Sequence, residues 1–248
     1  MIEPPEIAVV VPVQNEAPNI APLVSEIRAA LGTTPHEILY VDDGSTDETP
    51  AILARLVRRS NDLQVIRHSN RCGQSAALVT GIRAATARII ATLDGDGQND
   101  PADIPVMLTT LKREDAPDSP LLVAGYRRRR HDVVMKRIGS RVANRVRARL
   151  LGDATPDTGC GLKLFRRDVF LELPHFDHMH RFLPALFVRA GGRIISLPVR
   201  HRPRAGGRSH YGTLDRLAVG IVDLAGVWWL QRRWHRPEIV STHAVPAE

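Results

Sequence analysis

Asp94 and Asp96 stand two residues apart at the end of the apolar run Ile89-Ile-Ala-Thr-Leu93, and Gln98 follows at the same spacing. In an extended segment, side chains at i and i+2 leave the same face, so these three groups converge on one point. Two carboxylates that close repel each other unless a proton or a cation lies between them. Hard oxygen ligands of this kind suit Mg²⁺ or Mn²⁺. The plainer alternative is a polar turn with solvated acids. A calcium loop of the EF-hand type fails on detail, because it needs Gly at its sixth position and Glu at its twelfth, where the chain has Asn99 and Pro105.

The abrupt passage from apolar to acidic predicts that Arg88 to Leu93 is a buried strand and Asp94 to Asp100 the loop at its carboxyl end. The same pattern occurs twice earlier. Ile7 to Val11 reads as a buried strand running into Pro12-Val-Gln14-Asn-Glu16, and Glu37 to Val41 as a second running into Asp42-Asp43-Gly-Ser-Thr-Asp47. Helical spacing from Pro18 to Leu31 and from Asp47 to Arg59, a short strand at Gln64 to Arg67 and a helix of small residues from Ser75 to Ala85 complete the series. Recurrent β-α units predict an α/β fold: a Rossmann-like, open, mostly parallel sheet flanked by helices, which binds ligands outside the carboxyl ends of its strands. Neither G-x-G-x-x-G nor a P-loop is present, which argues against dinucleotide and NTPase chemistry.

Further on, the pattern predicts a helix from Pro101 to Leu111, a strand at Leu121 to Gly125 and a helix from Val134 to Leu151. Asp157-Thr-Gly-Cys-Gly-Leu-Lys163-Leu-Phe reads as a glycine-rich turn entering a strand, followed by a short helix from Arg167. His180 to Phe187 is helical, Arg193 to Leu197 a strand, and Arg202 to His210 a basic loop. A last helix spans about Thr213 to Trp234. It is apolar from Leu217 to Leu230 apart from Asp223, too short and interrupted to cross a bilayer. Trp228, Trp229 and Trp234 gather with Arg232, Arg233 and Arg236 at its end, as in helices lying at a membrane interface; packing on the domain is the alternative.

The 248 residues suffice for one α/β domain with decorations, and 43% hydrophobic with 25% charged residues is the balance of a soluble globular protein. Two cysteines, Cys72 and Cys160, make no disulfide framework, and no charged, apolar leader opens the chain, so a reducing, cytosolic compartment is expected. The net charge of +7 points to anionic partners, and ten Lys or Arg against the single acid Asp132 lie between Tyr126 and Arg149. A basic nucleic-acid-binding module would explain that charge. It would not explain three acidic loops at strand ends, which would repel a phosphate backbone, so no nucleic-acid partner is expected.

With its loops in this order, the chain closely resembles family 2 glycosyltransferases of the GT-A fold, in particular the polyprenyl (dolichyl) phosphate mannosyltransferase-like group. The resemblance covers about residues 6 to 235 and rests on several spaced motifs. It implies that Pro12, Gln14 and Glu16 contact the nucleotide, that Val41 and Asp43 recognise base or ribose, and that Asp94, Gly95, Asp96 and Gln98 hold metal and diphosphate. Arg204 through His210 matches a late loop that closes on the donor, with Arg204, His210 and Asp96 assisting catalysis. His180 and Arg181 fall near a donor-contacting cation, and Arg127, Lys136, Arg137 and Ser140 correspond to the holders of a lipid phosphate. Two departures stand out. Gln14 replaces an aromatic residue often found in the first loop, and His210 replaces the usual lysine, giving a charge that is partial near neutral pH.

The resemblance therefore implies inverting transfer of one sugar, mannose, glucose or a relative, from a GDP- or UDP-linked donor to a polyprenyl phosphate, with Mg²⁺ or Mn²⁺ as cofactor. Its rival is a family 2 enzyme acting on a sugar hydroxyl, for which Asp157 would be the base. The expected organisation is a catalytic domain over residues 1–212 with its acceptor-side segment at about 126–151, an amphipathic helix over 213–235 and a disordered tail over 236–248. The expected location is cytoplasmic and peripheral, on the inner face of the membrane, held by the membrane surface or by a membrane-protein partner.

Overall fold

The computed structural model describes residues 4–116, 119–127, 147–153, 155–203 and 213–233, with side chains from residue 220 onward in the last stretch. Seven strands form one sheet: β1 (Ile7–Val13), β2 (His36–Asp42), β3 (Leu63–Arg67), β4 (Ile89–Thr92), β5 (Leu121–Arg127), β6 (Lys163–Arg166) and β7 (Arg193–Val199). Their order is β3-β2-β1-β4-β6-β5-β7. All neighbours run parallel except around β6, which is antiparallel to both β4 and β5. The helices between them are α1 (Ala17–Leu31), α2 (Thr49–Val57), α3 (Gln74–Ala84), α4 (Ile104–Glu114), α5 (Arg167–Leu171), α6 (Leu183–Arg189) and α7 (Thr213–Arg232), and residues 147–151 are also helical.

The strands sort their side chains by parity, as the pleat requires. Ile7, Val9, Val11, Ile38, Tyr40, Leu121 and Val123 enter a core shared with α1 and α4. Ala8, Val10, Leu39, Leu122 and Ala124 enter the opposite core, with Leu78 and Ile82 of α3 and Leu186 and Phe187 of α6. Each fully buried Val, Leu or Ile side chain among these contributes about 1.5–3 kcal/mol. Burial on both faces is why these strands read as continuous apolar runs rather than alternating ones.

β1 runs two residues past the predicted end, through Pro12. Proline costs no ladder bond here, because β4 leaves β1 at Val10 and only β2 continues alongside, pairing Pro12 with Val41. The segment predicted as helix from His180 begins instead as a tight 3-10 turn, Met179–Arg181, before α6. Of the predicted helix over 134–151, only its last residues lie within the described chain, and the tail beyond residue 233 lies outside it.

Candidate active site

β1, β2 and β4 deliver their carboxyl ends side by side, so the three polar loops meet along one rim of the sheet. The first two are tied to each other. Asn15, with φ of 55°, accepts hydrogen bonds at its side-chain oxygen from the amides of Thr46 (2.8 Å) and Asp47 (3.3 Å), while its own amide donates to Ser45 Oγ (2.9 Å). The Glu16 amide donates to Thr49 Oγ1 at 3.0 Å. Asp43 is buried, and its carboxylate accepts from the Cys72 amide (2.7 Å) and the Gly73 amide (2.7 Å) and meets His68 Nδ1 at 2.8 Å. Asp43 thereby fixes the turn that starts α3. Val41 is fully buried within β2.

The third loop is built differently. Asp94 is half-buried and among the described residues takes one hydrogen bond, from Gln74 Nε2 at 2.8 Å. Burial pushes its carboxyl group up to about 6, and the neighbouring Asp96 charge pushes in the same direction; Lys163 and Gln74 oppose them. Asp96 accepts from the Gln98 amide at 3.1 Å, which turns the loop back on itself. Two glycines make the crowding sterically feasible. A Cβ on Gly95 would collide with the Val13 side chain and lie 3.0 Å from the Pro12 carbonyl oxygen, and one on Gly161 would collide with the Asp94 carboxylate.

A half-buried carboxylate whose ionisation is opposed by burial and by the charge of a second carboxylate two residues on belongs to a pair that fits a divalent cation. Gln98 stands beside them. Its side-chain amide reaches the Arg202 carbonyl oxygen at 3.5 Å and its carbonyl oxygen accepts from the Arg202 amide at 2.9 Å. Arg202 also pairs with Asp100 (2.8 Å) and Glu26 (2.8 Å). These contacts anchor the start of the basic loop next to the Asp94–Asp96 pair. Arg204 and His210 of that loop, and Lys136, Arg137 and Ser140, lie outside the described residues.

Beneath Asp94 opens a cavity of about 230 Å³, lined by Pro12, Gln74, Cys160, Lys163, His180 and Arg181 among others. His180 is brought there by Ser75 in the first turn of α3, whose Oγ lies 2.8 Å from His180 Nδ1. It is not a cation: burial, then the charges of Lys163 and Arg181, hold its imidazole down to about 3, so any cationic contact in that stretch falls to Arg181. Lys163 opens β6 directly opposite Thr92. Thr92 Oγ1 donates to the Gly161 carbonyl oxygen at 2.6 Å, which ties the glycine-rich turn to β4.

Arg127, at the end of β5, is gripped by Asp157 through Nε (2.6 Å) and Nη2 (2.9 Å), and the pairing raises the guanidinium pKa against the effect of burial. This fork was not anticipated from the sequence, where the two residues were assigned to rival mechanisms. Gln74 and Lys163 were missed as well. The available signal was Lys163 itself, a charge inside a run, Leu162 to Phe165, that otherwise reads as a buried strand.

A model of the family described as glycosyl transferase family 2 matches residues 8–173. A dodecaprenyl-phosphate galacturonate synthase of Rhizobium johnstonii is 38% identical over 238 residues, covering 94% of this chain and 69% of that protein. An undecaprenyl-phosphate 4-deoxy-4-formamido-L-arabinose transferase of Klebsiella pneumoniae is 32% identical over 222 residues, covering 88% and 66%. The chain thus spans about two thirds of the length of these relatives. Among solved structures, a mannosyltransferase from Pyrobaculum calidifontis in complex with GDP-Man and Mn²⁺ aligns with a TM-score of 0.64 at 24% identity, over 95% of this chain and 66% of that one. Glucosyl-3-phosphoglycerate synthase from Mycobacterium tuberculosis, in complex with Mn²⁺, UDP and glucosyl-3-phosphoglycerate, aligns with 0.66 at 21% identity, over 92% and 80%. At such identities the two structures establish a common fold.

Proposed function

Because this chain belongs to glycosyl transferase family 2 and has its GT-A fold, we propose that it transfers one sugar, with inversion, from a nucleoside diphosphate sugar to a polyprenyl phosphate. The observation that carries the choice of acceptor is the Arg127–Asp157 fork. A sugar hydroxyl needs a base to remove its proton, and Asp157, the candidate for that task, is already held in two hydrogen bonds by a guanidinium. A phosphate monoester is largely ionised near neutral pH and attacks without a base.

In this reading Pro12, Gln14 and Glu16 with the Val41–Asp43 turn frame the nucleotide, and Asp94, Asp96 and Gln98 hold Mg²⁺ or Mn²⁺. A bound divalent ion offsets the charge that develops on the leaving diphosphate. Gln74 orients Asp94 through its 2.8 Å hydrogen bond, and the Arg202 amide is held by the Gln98 backbone carbonyl oxygen; Arg204 and His210 are assigned positive charge at the leaving group by the family resemblance. Asp157 holds the Arg127 charge at the end of β5 for the acceptor phosphate, a role that the family resemblance also gives to Lys136, Arg137 and Ser140. The test is a screen of radiolabelled UDP-galacturonate, UDP-glucose and GDP-mannose with undecaprenyl phosphate and Mg²⁺ or Mn²⁺. Label extracted into organic solvent is expected from one donor; label from none, with the ions and lipid varied, removes the reading.

Such an acceptor keeps its hydrocarbon chain in a bilayer, so the protein works at the cytoplasmic membrane surface. Among the described residues no helix is long and apolar enough to cross a membrane. α7 instead packs Val227 against Leu151, Phe182 and Ala185 and turns Ile221, Val222 and Trp229 outward, 59%, 71% and 54% exposed, with Arg232 stacked on Trp228 at its end. That face suits a lipid interface, where buried apolar area and about 1 kcal/mol per basic side chain add up. Replacing Val222 and Trp229 by Ser is expected to reduce sedimentation with anionic liposomes. No sedimentation of the wild type at low salt would assign α7 to a protein partner.

A further inference from the structure

We infer that Lys163 receives an anionic oxygen of the substrate, from a phosphate or a carboxylate, in the cavity beside Asp94. The inference rests on the transferase reading for the identity of the substrate, and on the geometry of Lys163 for the existence of the subsite.

Lys163 is 3% exposed. An ammonium has three N–H donors. Two are accounted for: one goes to the Cys160 carbonyl oxygen and one, at 3.5 Å, to that of Thr158. No described carboxylate lies within ion-pairing distance of Nζ; Asp94 and Asp157 act on it only from farther away. A buried charge is ordinarily paired, since desolvation costs several kcal/mol that dipoles alone offset poorly. Burial accordingly depresses the Lys163 ammonium pKa. Lys163, with one donor to which no described acceptor is matched, lines the same cavity as Gln74, His180 and Arg181.

The sheet makes this arrangement deliberate in its geometry. β6 runs antiparallel between two strands whose other neighbours are parallel, and its register sets Lys163 opposite Thr92, on the same face as Asp94 two residues further along. Gly161, on the same short connection, leaves the room that Asp94 occupies. The cavity therefore joins an acid that fits a cation to a cation with no described carboxylate at ion-pairing distance. A phosphate of the acceptor or a carboxylate carried by the transferred sugar completes the second half.

Lys163→Met, of similar length and without charge, tests this. Four probes are titrated by calorimetry into both proteins in the presence of Mg²⁺: farnesyl phosphate, UDP-galacturonate, UDP-glucose and UDP. The variant is expected to lose at least about tenfold in affinity for one anion-bearing probe, as a lost charge-assisted hydrogen bond implies, while UDP binds as before. Loss confined to farnesyl phosphate identifies the acceptor phosphate; loss for UDP-galacturonate but not UDP-glucose identifies a sugar carboxylate. Thermal stability should hold or rise, because a buried charge has been replaced by an apolar group. Unchanged affinity for all four probes overturns the inference, as does a fall in stability with affinities intact. If the wild type binds neither UDP-sugars nor farnesyl phosphate, it is the transferase reading that fails, and inorganic phosphate then probes the subsite alone. ³¹P line broadening that disappears in Lys163→Met upholds it; equal broadening in both proteins overturns it. Should Lys163→Met not fold, Lys163→Gln is read by the same outcomes.

Discussion

The exits of β2 and β4 each present an acid at the same rim, and they are held in opposite ways. Asp43 meets two backbone amides and an imidazole, all at 2.7–2.8 Å. Asp94 receives one side-chain amide and faces a second carboxylate. The first loop is complete within the protein, and its carboxylate is part of what makes α3 begin where it does. In the second, Asp94 is met by fewer donors among the described residues, and its ionisation is opposed by burial and by Asp96. Residue type alone does not separate these cases; the number of donors the fold aims at each acid does.

The largest expected effect concerns the second loop. Asp96→Ala is expected to lower turnover by roughly two or more orders of magnitude, the range found when a group stabilising leaving-group charge is removed, with little change in the urea midpoint. Excess EDTA should do the same to the wild type. Sugar transfer that survives EDTA undiminished would erase the difference drawn between the two acids.

The complete loop should behave in the reverse manner. Asp43→Ala leaves the amides of Cys72 and Gly73 without their acceptor, at about 1–3 kcal/mol for each group that water does not reach. A loss of roughly 2 kcal/mol in urea denaturation is expected. If stability is unaffected and only nucleotide affinity falls, Asp43 belongs with the ligand contacts and not with the turn.

Most of the sheet was legible because apolar runs bounded by glycine, proline and acid mark strands buried on both faces, and those runs fix where the acidic loops emerge. Asp94 and Asp96 could be picked out for the same reason, as acids at the end of such a run, but they sit in a turn after β4 and not on the extended segment that the i, i+2 argument assumed. Lys163 and the Arg127–Asp157 fork were not, since they depend on β6 entering antiparallel between β4 and β5, a pairing of residues about seventy apart in the chain that no local pattern specifies. The electrostatic setting of His180 was hidden for a related reason. Burial in the cavity wall and the charge of Lys163 lower its basicity, and neither is visible beside it in the sequence.

The smallest effect sharpens the comparison most, because it carries a sign. The Asp94 carboxyl group titrates near 3.8 when the chain is unfolded and at about 6 in the folded protein without metal. Between those values the native state holds a proton that the unfolded state has lost, so metal-free stability is favoured below about pH 4 and declines as pH rises to about 6. Asp94→Asn cannot titrate and still offers Gln74 an acceptor oxygen. In EDTA its melting temperature should exceed that of the wild type at pH 7, and the two should converge near pH 4. Adding Mg²⁺ or Mn²⁺ should raise the wild type at pH 7 and leave Asp94→Asn largely unmoved, because only the ionised carboxylate gains from the cation. A variant less stable than the wild type at pH 7 in EDTA would mean that Asp94, like Asp43, is held by the protein alone.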